Sequence, residues 1–235
     1  MAKGKIIVIE GTDGSGKQAQ SNLLCQRLLC EGKKAVLQSF PNYESISSGP
    51  VKMYLSGEIC ERVDDIDGYQ ASVLFAVDRF CTMKKWKEVY ENGGIIVLDR
   101  YVQSNMIHQA CKIDDEKERI KYLNWLDSFE FGLLKLPKPD KIFFLDVPPE
   151  VSKKLRLARV INKNGEAKDI HEQDEKYLKK AYSVGKWVAD YYNWEQIVCT
   201  NENGELKTIE EIHNMIYSSL NKLAEREKNN NFLIF

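Results

Sequence analysis

Hydrophobic residues along this chain fall into short unbroken runs separated by longer stretches of helical period. Ile6-Ile7-Val8-Ile9, Ile95-Ile96-Val97-Leu98 and Ile142-Phe143-Phe144-Leu145 are continuous and do not alternate, as strands covered on both faces must be. Five strands are predicted, over residues 5–10, 35–40, 94–99, 141–147 and 196–200. Helices are predicted over 17–30, 66–92, 116–131, 169–192 and 208–226. Leu23, Leu24 and Leu28 mark the inner face of the first, and Gly32 is placed to stop it. Strand and helix take turns, so the expected fold class is α/β, a doubly wound five-stranded parallel sheet with helices on both faces. Sites in such sheets lie at the carboxyl ends of strands. That rule points to the segments just after Glu10, Phe40, Asp99, Val147 and Thr200.

Composition narrows the class. The chain has 235 residues, 43% of them apolar, enough for one sizeable core. With no repeat and no Pro/Gly-rich linker, a single domain is expected over 1–228, followed by a tail at 229–235. Lys228-Asn229-Asn230-Asn231 reads as turn-like and Phe232-Leu233-Ile234-Phe235 as a bare apolar tag. The formal net charge of −1 gives no global field for nucleic acid, so any charge on phosphate must be local. No apolar run approaches membrane-spanning length and the start is too short for a signal peptide, so a cytoplasmic protein without membrane contact is expected. Cys25, Cys30, Cys60, Cys81, Cys111 and Cys199 are scattered without a CxxC pair and read as free thiols.

The chemistry begins directly after the first strand. Gly11-Thr-Asp-Gly-Ser-Gly16-Lys17 has the spacing G-x-x-x-x-G-K between a strand and a helix, a P-loop. Its glycines let successive backbone N–H groups face inward, the helix N-terminus adds positive potential, and Lys17 bridges the β and γ phosphates. The expected ATP site is Gly11, Thr12, Asp13, Gly14, Ser15, Gly16, Lys17, Gln18 and Ala19. The next residue in the pattern is normally Ser or Thr on Mg²⁺, and here it is Gln18. Since Mg²⁺ usually keeps several waters, the missing hydroxyl is covered by water, by the Gln18 carbonyl oxygen or by a nearby carboxylate. Asp99, ending an apolar strand, takes the usual place of a second metal contact.

Glu10-Gly-Thr-Asp-Gly-Ser-Gly-Lys17, Phe40-Pro41-Asn42-Tyr43, Leu74-Phe75-Ala76-Val77-Asp78-Arg79, Asp99-Arg100-Tyr101-Val-Gln-Ser104-Asn105 and Leu145-Asp146-Val147-Pro148-Pro149-Glu150 occur in one order over most of the chain. Together they resemble thymidylate kinase, of the P-loop nucleoside-monophosphate kinases. The resemblance implies transfer of a phosphoryl group from ATP to dTMP with Mg²⁺, a role in dTTP synthesis, and a homodimer formed through long helices. It implies an acceptor site of Asp13, Phe40, Pro41, Tyr43, Phe75, Arg79, Arg100, Ser104, Asn105, His108 and Glu172. Within that site Asp13 serves the sugar 3′-hydroxyl and the metal, and Phe75 stacks on thymine. Arg79 donates to the base edge, Asn105 reads the pyrimidine, and Arg100 clamps the acceptor phosphate. Metal contacts would come from Asp13, Asp99 and Glu172. Many bacterial relatives have Tyr where this chain has His108, which keeps dUMP or UMP open as acceptors.

Catalytic cations are also implied. One branch of the family carries an arginine inside the loop, where this chain has Gly14, so this chain resembles the branch that supplies cations from a lid. The lid is expected at about 153–172, with Arg156 and Arg159 joining Lys17, Asp13 and Arg100 in catalysis and Lys163 and Lys168 as further cations. Outside the kinases, a non-catalytic P-loop nucleotide-binding regulator remains open on the strength of Gln18. No guanine-reading Asn-Lys-x-Asp motif points to a GTPase.

Overall fold

The computed structural model describes residues 3–60, 62, 65–162 and 175–231, with 158–162 and 223–231 as backbone only. Its five strands are β1 (Lys5–Glu10), β2 (Ala35–Ser39), β3 (Ile95–Asp99), β4 (Lys141–Asp146) and β5 (Glu195–Val198). They form one parallel sheet in the order β2-β3-β1-β4-β5. The central β1 shows why the apolar runs are unbroken. Ile6 and Val8 enter one buried cluster, while Ile7 and Ile9 enter the cluster on the opposite face.

On the second face lie α1 (Lys17–Cys30) and α9 (Ile209–Asn231), contributing Leu24, Leu28, Ile212 and Ile216. The first face is covered by α3 (Gly68–Lys85), α5 (Val102–His108), α6 (Glu116–Asp127) and α8 (Glu175–Tyr191), among them Met83, Ile107, Leu123 and Leu178. The remaining helices are α2 (Gly49–Leu55), α4 (Lys87–Glu91) and α7 (Pro149–Asn162).

Several elements differ from the periodic reading. The single helix expected over 66–92 opens at the Asp67–Gln70 capping box and breaks at Trp86, dividing into α3 and α4. The Trp86 indole donates to Gln38 Oε1 on β2 at 3.0 Å, which turns the chain toward the sheet. The helix expected over 116–131 leaves α geometry at Asp127 and continues as a π turn, Ser128–Leu133. That wider turn carries Glu130 fully buried. The first half of the expected lid is helical as α7. The helix α9 continues to Asn231, through residues read as turn-like, because asparagine carries only a modest helix penalty. Residues 169–174 of the predicted fourth helix lie outside the described residues, as do 232–235.

Candidate active site

The loop from Gly11 to Gly16 joins β1 to α1. Gly14 and Gly16 have φ of +80° and +86°, a region that side chains rarely enter. Gly16 caps α1 without a side chain, and the first turn of α1 contains no acidic residue. Its N–H groups and positive end are therefore left for an anion. Lys17 is buried and donates from Nζ to Thr12 O at 2.8 Å. Burial, reinforced by the charge of Arg100, pushes its pKa down to about 8 against the pull of Asp13, Glu10 and Asp99.

Arg100 connects this loop to the neighbouring pocket. It follows β3 with φ of 66°, a left-handed conformation that costs a side chain roughly 1–2 kcal/mol. Its N–H donates to Ile9 O at 3.2 Å, and the turn swings the guanidinium across the glycine loop. There Nη2 pairs with the carboxylate of Asp13, while Nη1 donates to Ser104 Oγ at 3.2 Å and to His108 Nε2 at 3.4 Å. Glu10 Oε1 lies 3.6 Å from Nη1. Burial works against this charge, but the carboxylates of Asp13, Glu10 and Asp99 outweigh it and hold the pKa above the ordinary arginine value. A carboxylate inside a phosphate loop needs a counter-charge, and for Asp13 that cation is Arg100.

One pocket opens beside Arg100. Asp13, Phe40, Pro41, Tyr43, Phe75, Arg79, Arg100, Ser104, Asn105 and His108 all line it, so the structure brings together every expected acceptor residue among those described. Glu172 lies outside the described residues. Phe75 packs edge-on against Tyr54, with centroids 6.0 Å apart, and is half-buried at the wall. The Phe40–Pro41 peptide is cis. Its loop is tied to α3 by Asp78, which accepts from Asn42 N and Ser47 Oγ at 2.7 Å each.

Two pocket residues are more engaged than the motifs imply. Arg79 is only 2% exposed and uses Nε and Nη2 on the carboxylate of Glu130, leaving Nη1 directed at Tyr101 O at 3.4 Å. A buried guanidinium without that partner would be an uncompensated charge, and the three bonds leave one N–H each on Nη1 and Nη2 for a base edge. Asn105 Nδ2 donates to Ser72 O at 3.4 Å.

The metal side is sparse. Gln18 O accepts from Asn22 Nδ2 at 2.7 Å and Ser21 Oγ at 3.2 Å. As a helical carbonyl it points along α1, away from the loop, so the suggestion that it replaces the missing hydroxyl is corrected. Asp99 is buried beside Lys17 and Arg100, with Ser39 Oγ at 3.5 Å from Oδ2. No group of three or more potential protein ligands occurs among the described residues. A single carboxylate at the end of β3 fits Mg²⁺, which is commonly held by one or two carboxylates, substrate phosphates and water.

On α7, Arg156 lies over the loop. Its Nη1 donates to Asp13 O at 3.0 Å and Ser152 Oγ at 3.1 Å. A Cβ on Gly14 would come within 2.8 Å of Arg156 Cγ and 2.7 Å of Ser152 O, so glycine there is what admits the arginine. The side chain of Arg159, together with Lys163 and Lys168, lies outside the described residues.

Sequence reasoning assigned no role to Glu10, Glu130 or Tyr177. Glu10 is fully buried at the end of β1, where it accepts from Gly11 N and Ser104 Oγ. Burial raises its pKa in spite of Arg100 and Lys17. A carboxylate closing an otherwise apolar strand was the available signal for it.

A sequence profile of the thymidylate kinase family matches residues 9–216. Among curated proteins, a thymidylate kinase of Plasmodium falciparum is 29% identical over 98% of this chain and 96% of its own length. One from Schizosaccharomyces pombe is 31% identical over 78% of each chain. A solved structure of thymidylate kinase from Candida albicans superposes with a TM-score of 0.68, at 21% identity, covering 97% of this chain and 94% of that one. With its glycine loop, its acceptor-side pocket and this agreement along nearly its whole length, the chain belongs to the thymidylate kinase family.

Proposed function

We propose that this chain transfers the γ-phosphoryl group of ATP to dTMP, giving ADP and dTDP. The observation that carries this reading is Arg100, which spans the glycine loop through Asp13 and the neighbouring pocket through Ser104 and His108. A group bridging a donor cradle and an acceptor pocket suits a phosphate passing between them.

In this reading the loop amides from Gly11 to Ala19 and Lys17 hold ATP, and Arg100 clamps the acceptor phosphate. Phe75 stacks on the base, Arg79 and Asn105 meet its edge, and Asp13 faces the sugar. An acceptor phosphate oxygen attacks the γ phosphorus and ADP departs. The attacking oxygen is already anionic, so placement and charge neutralisation perform the work and no strong base is required. Arg156 supplies a cation from the position over Gly14. Mg²⁺ would be held by Asp99 and water, and would neutralise charge on the β and γ phosphates.

The protein is further proposed to be a cytoplasmic homodimer built as one kinase domain. Tyr69, Val73 and Val77 are each more than a third exposed at four-residue intervals along α3, an apolar stripe suited to a second copy. All six thiols are free, in keeping with a reducing compartment, and no described helix is long and apolar enough to cross a membrane.

A coupled ADP-release assay across dTMP, dUMP, UMP, CMP, AMP and GMP tests the reading, with Lys17→Ala as control. Turnover is expected to be fastest on dTMP and to collapse in the control. Preference for AMP, or dTMP binding without ADP release, would refute it.

A further inference from the structure

We propose that Tyr177, in the first turn of α8, is a positioning residue for the acceptor phosphate, acting through His108 to hold the Arg100 guanidinium in place. The inference rests on the reading of Arg100 as the phosphate clamp and extends it to a residue outside the pocket lining.

A guanidinium has donors and no acceptor, so His108 Nε2, 3.4 Å from Arg100 Nη1, must accept. The imidazole proton then sits on Nδ1, which donates to the Tyr177 hydroxyl at 3.2 Å. That hydroxyl sends its own proton to the backbone carbonyl of His108 at 3.1 Å. Only this arrangement of protons satisfies all three contacts, and it fixes both tautomer and ring orientation. The two rings lie nearly parallel, 25° apart, with centroids 6.1 Å apart. Tyr177 is buried, and burial keeps its hydroxyl protonated by raising the pKa well above the usual tyrosine value.

The middle of α8 is fixed as well. Tyr182 donates to Asp146 Oδ1 at 2.7 Å and Lys186 to Oδ2 at 2.6 Å, which anchors the helix to the end of β4. The hydroxyl of Tyr177 is therefore presented from a braced helix. Without it, His108 is free to place a proton on Nε2, which would face Arg100 donor to donor and push the fork away from Ser104.

The test is calorimetric titration of the full chain and its Tyr177→Phe variant with dTMP, thymidine and ATP separately. Loss of one such hydrogen bond is expected to weaken dTMP about five- to tenfold. Thymidine, which has no phosphate, and ATP should bind as before, which also reports that the variant is folded. In a His108→Ala background, Tyr177→Phe should add nothing further. Equal weakening of thymidine, an unchanged dTMP affinity, or a full effect without His108 would each overturn the proposal. Arg100→Ala separates this from the underlying reading. It should abolish the preference for dTMP over thymidine, and survival of that preference would refute the clamp itself.

Discussion

Buried beside Arg100, Lys17 holds its proton less firmly than an exposed lysine, with its pKa pushed down to about 8. Bound ATP brings negative charge to the ammonium and restores the proton, so binding above that pH must take one up. At pH 8.5 the uptake is expected to approach about three-quarters of a proton, and at pH 7 to be about a tenth. Calorimetry in buffers of differing ionisation enthalpy measures it, and no uptake at pH 8.5 would show that Lys17 already carries its proton in the free protein at that pH. Legibility at this scale follows chain distance. Asp13, Lys17, Arg100 and Ser104 stand in local motifs and were readable. The partners that orient them were not: Glu10 reaches Ser104 across 94 positions, Glu130 reaches Arg79 across 51, and Tyr177 reaches His108 across 69. Such pairs leave no periodic trace in sequence.

Where α7 crosses the glycine loop, the contact leaves no room for a methyl group at Gly14. In Gly14→Ala, the strained backbone alone should destabilise the protein by about 1–2 kcal/mol, read by urea denaturation. The clash with Ser152 and Arg156 should also lift α7 off the loop. A shift of about an ångström in a catalytic cation lowers kcat/KM on the order of a hundredfold, which steady-state kinetics with ATP would register. Wild-type kinetics in this variant would show that Arg156 takes no part in transfer. Strands were the most legible elements, because their two-sided burial demands unbroken apolar runs, and the end of α1 at Cys30 followed from Gly32. The seven-residue helices α2 and α5 were not readable, being too short to display a period. The break at Trp86 and the π turn after Asp127 depend on tertiary partners, Gln38 and Arg79, that no local pattern contains.

For the molecule as a whole, the apolar stripe of α3 makes assembly testable. Val73→Glu places a charge in the middle of that face. At micromolar concentration it is expected to convert a dimer into monomers in sedimentation velocity, with the fold retained by circular dichroism. A wild-type chain that sediments as a monomer would refute the stripe as an interface. The sheet order carries a consequence of another kind. β1 precedes every other described strand in the chain, yet it sits in the middle of the sheet and bonds to β3 on one side and β4 on the other. During synthesis its hydrogen-bonding edges are not both paired until Asp146 has left the ribosome. The nucleotide cradle hangs from that strand, so a nascent chain has nowhere to seat ATP until well over half of it has been made.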